Sequence, residues 1–114
     1  MSKRKELEAC IRMWEWIRVQ LAKPNFDHVQ RLKYAYIEGN PEDGKLLEQL
    51  TNLCYFCHYY GNEDNDSATC SYMCPLHSCI ADCAAYVMCH SRDINMRMKG
   101  CDIIIKKLKE EVVN

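Results

Sequence analysis

Glycine and proline are scarce in this chain, four and three among 114 residues. That shortage argues against a turn-rich all-β fold and against collagen-like or linker stretches. Long apolar runs are also missing, since none approaches the roughly 18–20 residues that a membrane span needs. Neither sign of charge predominates, with 15 Lys and Arg against 16 Asp and Glu, so the basic footprint of a nucleic-acid binder is lacking. Behind the charged start Met1-Ser-Lys-Arg-Lys-Glu comes an amphipathic segment rather than a signal-peptide core, and the expectation is a cytoplasmic protein. Hydrophobic residues reach 48%, enough for a core. The length suits one domain over 1–114, divided into N-terminal helices (1–53), a Cys-rich segment (54–83) and C-terminal helices (84–114).

Cysteine is what the chain has in excess. There are nine, and seven of them (Cys54, Cys57, Cys70, Cys74, Cys79, Cys83 and Cys89) fall in one stretch. An odd number with no export signal makes a poor disulfide framework. Clustered thiols in a reducing compartment point instead to metal or redox chemistry.

The periodicity is helical throughout. Leu7, Cys10, Trp14, Ile17 and Leu21 step by three and four along a helix expected over 3–23, which Pro24 ends. A second helix is expected from an N-cap at Asn25 or Asp27, with Val29, Leu32 and Tyr36 inward and a stop at Gly39. Asn40-Pro41 should open a third, with Asn capping, Pro in the first turn, and Glu42 and Asp43 complementing the dipole. Its apolar stripe, Leu46, Leu47, Leu50 and Leu53, runs into Cys54 and Cys57. Residues 76–89 are helix-compatible. The stretch 92–112 carries Ile94, Met98, Cys101, Ile105, Leu108 and Val112 at alternating steps of four and three. These features predict an all-α bundle of about five helices, its terminal helices packed together and its middle stapled by a Cys-ligated metal.

The strongest local signal is Cys54-x2-Cys57, a twelve-residue loop, then Cys70-x3-Cys74-Pro75. Two close pairs of thiolates separated by a loop suit a tetrahedral ion, and zinc accepts four sulfurs without redox consequences. Four ligands are expected from Cys54, Cys57, Cys70, Cys74 and Cys79, with Cys83 as an alternate. A second metal could draw on Cys83, Cys89, His77 or His90. The 54–83 segment carries four acidic residues and no Lys or Arg, so a zinc thiolate site there would repel phosphate.

Rival chemistries are weaker. An iron–sulfur cluster also takes four Cys, but the spacing matches neither familiar ferredoxin run. Cys54-x-x-Cys57-His58 has the form of a c-type haem attachment, yet no export signal precedes it. A thioredoxin-like role lacks its βαβ setting. Cys89-His90 and His77 with Cys79 offer sequence neighbours without established dyad geometry, so a non-enzymatic protein is expected. The acidic loop at 63–66 lacks EF-hand spacing, and His28 suits a surface or capping role.

Trp14 reads as core. Trp16 lies about 200° round the same helix, so either that helix is packed on two sides or Trp16 is an exposed anchor. With Met13 and Arg12 beside it, Trp16 makes a candidate protein-binding surface, because Trp, Met and Arg are favoured at interfaces. A homodimer through the terminal helices is a further option. Nucleic-acid binding would have to use Lys3, Arg4, Lys5, Arg12 and Arg18, or Arg92, Arg97 and Lys99.

The run from Leu53 to Tyr86, with its C-x-x-C, its Cys74-Pro75 knuckle and the later Cys79, resembles a group of small bacteriophage-encoded Cys-cluster proteins. In that group an Ile- and Leu-rich C-terminal helix follows. The second pair here is spaced by three residues rather than two, and Cys79 and Cys83 both stand where a later ligand is expected. The resemblance implies a zinc-stabilised accessory protein of viral origin, one that binds and inhibits host machinery such as a defence complex.

Overall fold

The computed structural model describes residues 3–50 and 88–113. Among them stand four helices: α1 (Lys3–Leu21), α2 (Val29–Gly39), α3 (Pro41–Leu47) and α4 (Ile94–Val113). They contain no strand, and the all-α expectation holds for them. The helix expected from 76 falls almost wholly outside the described residues, as does the segment said to staple the bundle.

The α1 seam forms as its spacing predicts, with Leu7, Cys10, Trp14, Ile17 and Leu21 all buried. Ala9 and Met13 join them, because steps of four from Ala9 through Met13 to Ile17 lay a second apolar line beside the first. The helix is therefore packed on two sides. α4 covers one and the α2–α3 pair the other.

α4 lies antiparallel to α1. Arg97 reaches Leu21, Arg18 meets Asp102 at 2.6 Å, and Lys109 meets Glu15 at 3.5 Å, so the paired numbers run in opposite directions. The two seams face each other within one chain, and a dimer through them would have to displace this packing. Buried on α4 are Arg97, Cys101, Ile104, Ile105 and Leu108, with Met98 and Val112 packed partly buried against the core. The expected stripe therefore holds from Met98 through Val112 and fails at Ile94, which is 44% exposed. Arg97 and Ile104 widen this stripe, and the charge at position 97 hides that residue from an apolar pattern. Each Leu or Ile taken fully out of water here is worth roughly 1.5–3 kcal/mol.

The α2 cap falls one residue after Asp27 and three after Asn25, the two expected caps. His28 is the N-cap, its Nδ1 accepting the Gln30 N–H at 3.1 Å. Asp27 instead accepts the His28 N–H at 2.7 Å. Val29, Leu32 and Tyr36 point inward as expected. Gly39 does not end the helix through a left-handed conformation. Asn40, at φ −138° and ψ 75°, turns the chain before Pro41. Its side chain does not cap α3; the Nδ2–H group donates to the Tyr36 carbonyl at 2.8 Å, closing α2 instead. α3 is shorter than its stripe suggested, giving way to a turn in which Leu50 N–H donates to Leu47 O at 3.0 Å. Leu47 and Leu50 are nevertheless buried.

The α2–α3 corner is tight at Gly44. A Cβ there would stand 2.9 Å from Ile37 Cγ2 and 3.1 Å from the Ile37 carbonyl oxygen. Only a residue without a side chain lets the two helices approach this closely.

Candidate functional site

Two features of the described residues carry chemistry. One is an aromatic and charged cluster where α1, α2 and α3 meet. The other is a pair of buried thiols between the 88–91 turn and α4.

The first grows from the spacing of Arg12 and Trp16 on α1. One turn apart, they share a face toward α2 and α3. Arg12 grips Asp43 with both nitrogens, Nε at 3.0 Å and Nη2 at 2.7 Å. Tyr36 donates its hydroxyl to the same carboxylate at 2.6 Å. Trp16 packs on Tyr36 with ring centroids 5.7 Å apart and a 54° tilt, a geometry aromatic pairs favour. The electrostatics follow from these contacts. Hydrogen bonding to Arg12 holds the Asp43 carboxyl below its ordinary value, and the Tyr36 hydroxyl adds to this. Burial, then the Asp43 bond, pushes the Tyr36 phenol up to about 12. Beside the cluster lies a cleft of about 660 Å³ lined by Arg12, Tyr36, Asn40 and Asp43 among others.

The expected partner surface thus divides. Arg12 is half-exposed, and Trp16 is partly buried against the core. Met13 is fully buried, which corrects its assignment to a contact surface: it belongs to the second apolar line of α1. Asp43 joins Arg12 and Trp16 in the cluster, and Tyr36, itself buried, backs it from the core side. Pro41-Glu42-Asp43 read as a helix start, and nothing in that local pattern signals a partner 31 residues earlier.

For the metal, the expected ligands Cys54, Cys57, Cys70, Cys74, Cys79 and Cys83 all lie outside the described residues. Among those described, no group of three or more His, Cys, Asp or Glu is placed to hold an ion. Cys10, Cys89 and Cys101 are buried thiols. Cys89 and Cys101 meet with their Sγ atoms 3.8 Å apart. The hydrogen bond with Cys89 lowers the Cys101 thiol from its ordinary value, and the charges of Arg18 and Arg97 act in the same direction. His90 follows Cys89 and packs on His28, ring centroids 4.4 Å apart. His28 itself is exposed and caps α2, in keeping with its expected role.

The basic residues available for phosphate are partly committed. Arg12 and Arg18 are paired with Asp43 and Asp102, and Arg4 lies 3.5 Å from Glu8. Arg97 is buried. No described helix is long and apolar enough to cross a membrane.

No protein-family model, curated protein or solved structure matches this chain.

Proposed function

We propose that this chain is a non-enzymatic, zinc-stabilised module that works by binding another protein. The observation that carries the binding half is the half-exposed Arg12 bridged to Asp43 at the edge of a cleft, with the partly buried Trp16 stacked on the buried Tyr36 behind it. Trp, Tyr and Arg dominate the energetics of protein interfaces, most of all where they are already held in place. What supports zinc is the chain's own composition, nine cysteines with a C-x-x-C pair and a Cys-Pro knuckle. The zinc would hold the Cys-rich segment against the helical scaffold and supply folding energy rather than catalysis. The phage setting and the inhibition of host machinery rest on the resemblance of that knuckle alone.

A nucleic-acid module remains the alternative reading, and the engaged arginines speak against it. The test is affinity capture from cytosol with the zinc-loaded protein and a Trp16→Ala variant, with metal analysis of both. The expected result is a protein partner held by the wild type, insensitive to moderate salt and lost with Trp16→Ala, together with bound zinc. Retention of nucleic acid that falls steeply with salt would overturn the protein-binding reading. A zinc-free wild type would overturn the metal.

A further inference from the structure

Cys89 and Cys101 face one another in the interior, both at 0% exposure, with their sulfurs in hydrogen-bonding contact at 3.8 Å. A disulfide holds its sulfurs at about 2.05 Å, so from 3.8 Å the pair would close by about 1.8 Å. Shared between two side chains, that is a rotation of roughly 30° about each Cα–Cβ bond, a displacement of modest cost. Covalent joining lies within side-chain reach.

The turn that carries Cys89 is held against α4. It is closed by the Ser91 N–H donating to Met88 O at 3.1 Å. Arg97 Nη1 donates to Ser91 O at 2.9 Å and to Arg92 O at 3.1 Å. Its Nε donates to Leu21 O at 2.8 Å. Cys101 stands one turn beyond Arg97 on the same face of α4. One buried guanidinium thus fixes the turn with the first sulfur to the helix with the second, which raises the effective concentration of each thiol for the other.

We propose that Cys89 and Cys101 form a reversible disulfide when the protein meets hydrogen peroxide, a redox clamp that locks the 88–91 turn onto α4. The Cys101 thiolate attacks one peroxide oxygen. An S–O bond forms, the O–O bond breaks, and the departing hydroxide takes up the proton that Cys101 gave up, leaving as water. The Cys89 sulfur then displaces the oxygen of the sulfenic acid, which leaves with the Cys89 proton as a second water. The two thiols lose two electrons and one peroxide gains them. Cys101 reacts first because the Cys89 hydrogen bond favours its thiolate form. Burial slows the attack, since peroxide must pass the half-buried His90 and Ser91 in a local opening of the turn. The clamp uses neither a metal nor the Arg12 cluster, so it stands apart from the partner-binding role.

The test treats the reduced full-length protein with hydrogen peroxide under native conditions, alkylates the remaining thiols, and digests the chain with trypsin and chymotrypsin. Cleavage after Tyr86, Arg92, Lys99 and Lys106 leaves Cys89 and Cys101 in separate peptides, neither holding another cysteine. Mass spectrometry should find the two peptides joined, lighter than their sum by two hydrogens, and parted again by a thiol reductant. The melting temperature of the oxidised protein should rise by ~5–15 °C, because the bond closes a loop and restricts the unfolded chain. That rise should vanish on reduction and be missing from Cys101→Ala. The peptide readout needs only the wild type, so it decides the matter even where the variant folds poorly. The proposal is overturned if both peptides emerge singly alkylated, if Cys101 is found joined to a different cysteine, or if the oxidised protein melts no higher than the reduced one.

Discussion

Arg97 donates its Nε–H to the Leu21 carbonyl at 2.8 Å, joining the end of α1 to the start of α4 across 76 residues of sequence. The same guanidinium lies 3.8 Å above the Phe26 ring centroid and is almost fully buried. It satisfies a carbonyl that the end of α1 leaves without an intrahelical donor and ties the turn around Cys89 to the bundle.

Arg97→Ala should therefore destabilise the protein by about 3–5 kcal/mol, because it strands buried carbonyls and removes a stacked side chain. Arg97→Lys should recover only part of this, since an ammonium cannot reproduce the planar fork. Chemical denaturation of the three proteins gives the comparison. A loss under about 1 kcal/mol for Arg97→Ala, the level of an exposed ion pair, would refute the clamp.

Two glycines should respond to the same substitution with opposite signs. At Gly39 an added Cβ meets nothing within 4 Å, so Gly39→Ala should stabilise by a few tenths to about 1 kcal/mol through helix propensity and lower unfolded-state entropy. At Gly44 the Cβ collides with Ile37, including its backbone oxygen, and Gly44→Ala should cost about 1–3 kcal/mol. Melting temperatures of the pair decide this, and a shift in the same direction for both would contradict the close helix approach.

Tyr36 predicts an alkaline limit. Its pKa is about 12 in the folded protein, against about 10 for a free phenol. A group raised on folding contributes stability that is complete below its unfolded value and lost as pH rises through its folded value. Between pH ~10 and ~12 the wild type should lose stability more steeply than Tyr36→Phe, which starts about 1 kcal/mol lower for want of the hydrogen bond. Asp43, lowered by Arg12, works in the other direction. Its contribution is complete above the ordinary carboxyl range and lost as pH falls through the depressed value. Parallel alkaline profiles for wild type and Tyr36→Phe would rule the coupling out.

His28 makes a simpler test of capping. His28→Ala should cost about 1 kcal/mol, and His28→Asn, a strong cap former, should cost little or nothing. Urea midpoints measure both. Equal losses would mean that the contact with His90, rather than the Nδ1 cap, is what His28 contributes.

The helices themselves were legible from spacing and punctuation. The α1 seam, Pro24, Val29-Leu32-Tyr36 and Pro41 each carry a local physical signal, and each falls where it was read. Helix ends were less legible. His28 took the cap because an imidazole nitrogen accepts a backbone N–H as an Asp oxygen does, and Asn40 turned to the helix behind it rather than the one ahead. The α4 stripe is legible from Met98 to Val112, but the burial of Arg97 is not, because a hydrophobic pattern counts a charge against an inward position. Met13 was misplaced because Met and Arg neighbours suggest an interface whatever face they occupy.

Taken alone, the sequence determined that the described chain is helical and where most of its apolar stripes run. Those properties follow from period, composition and local backbone chemistry, all of which act between near neighbours. Tertiary structure alone decided that Arg12 belongs to Asp43, that Arg97 is an interior clamp and that Cys89 meets Cys101. These contacts join residues that no local pattern links. Which distant side chain reaches which partner depends on how helices cross and how closely they approach, and that is set by the packing of the whole core.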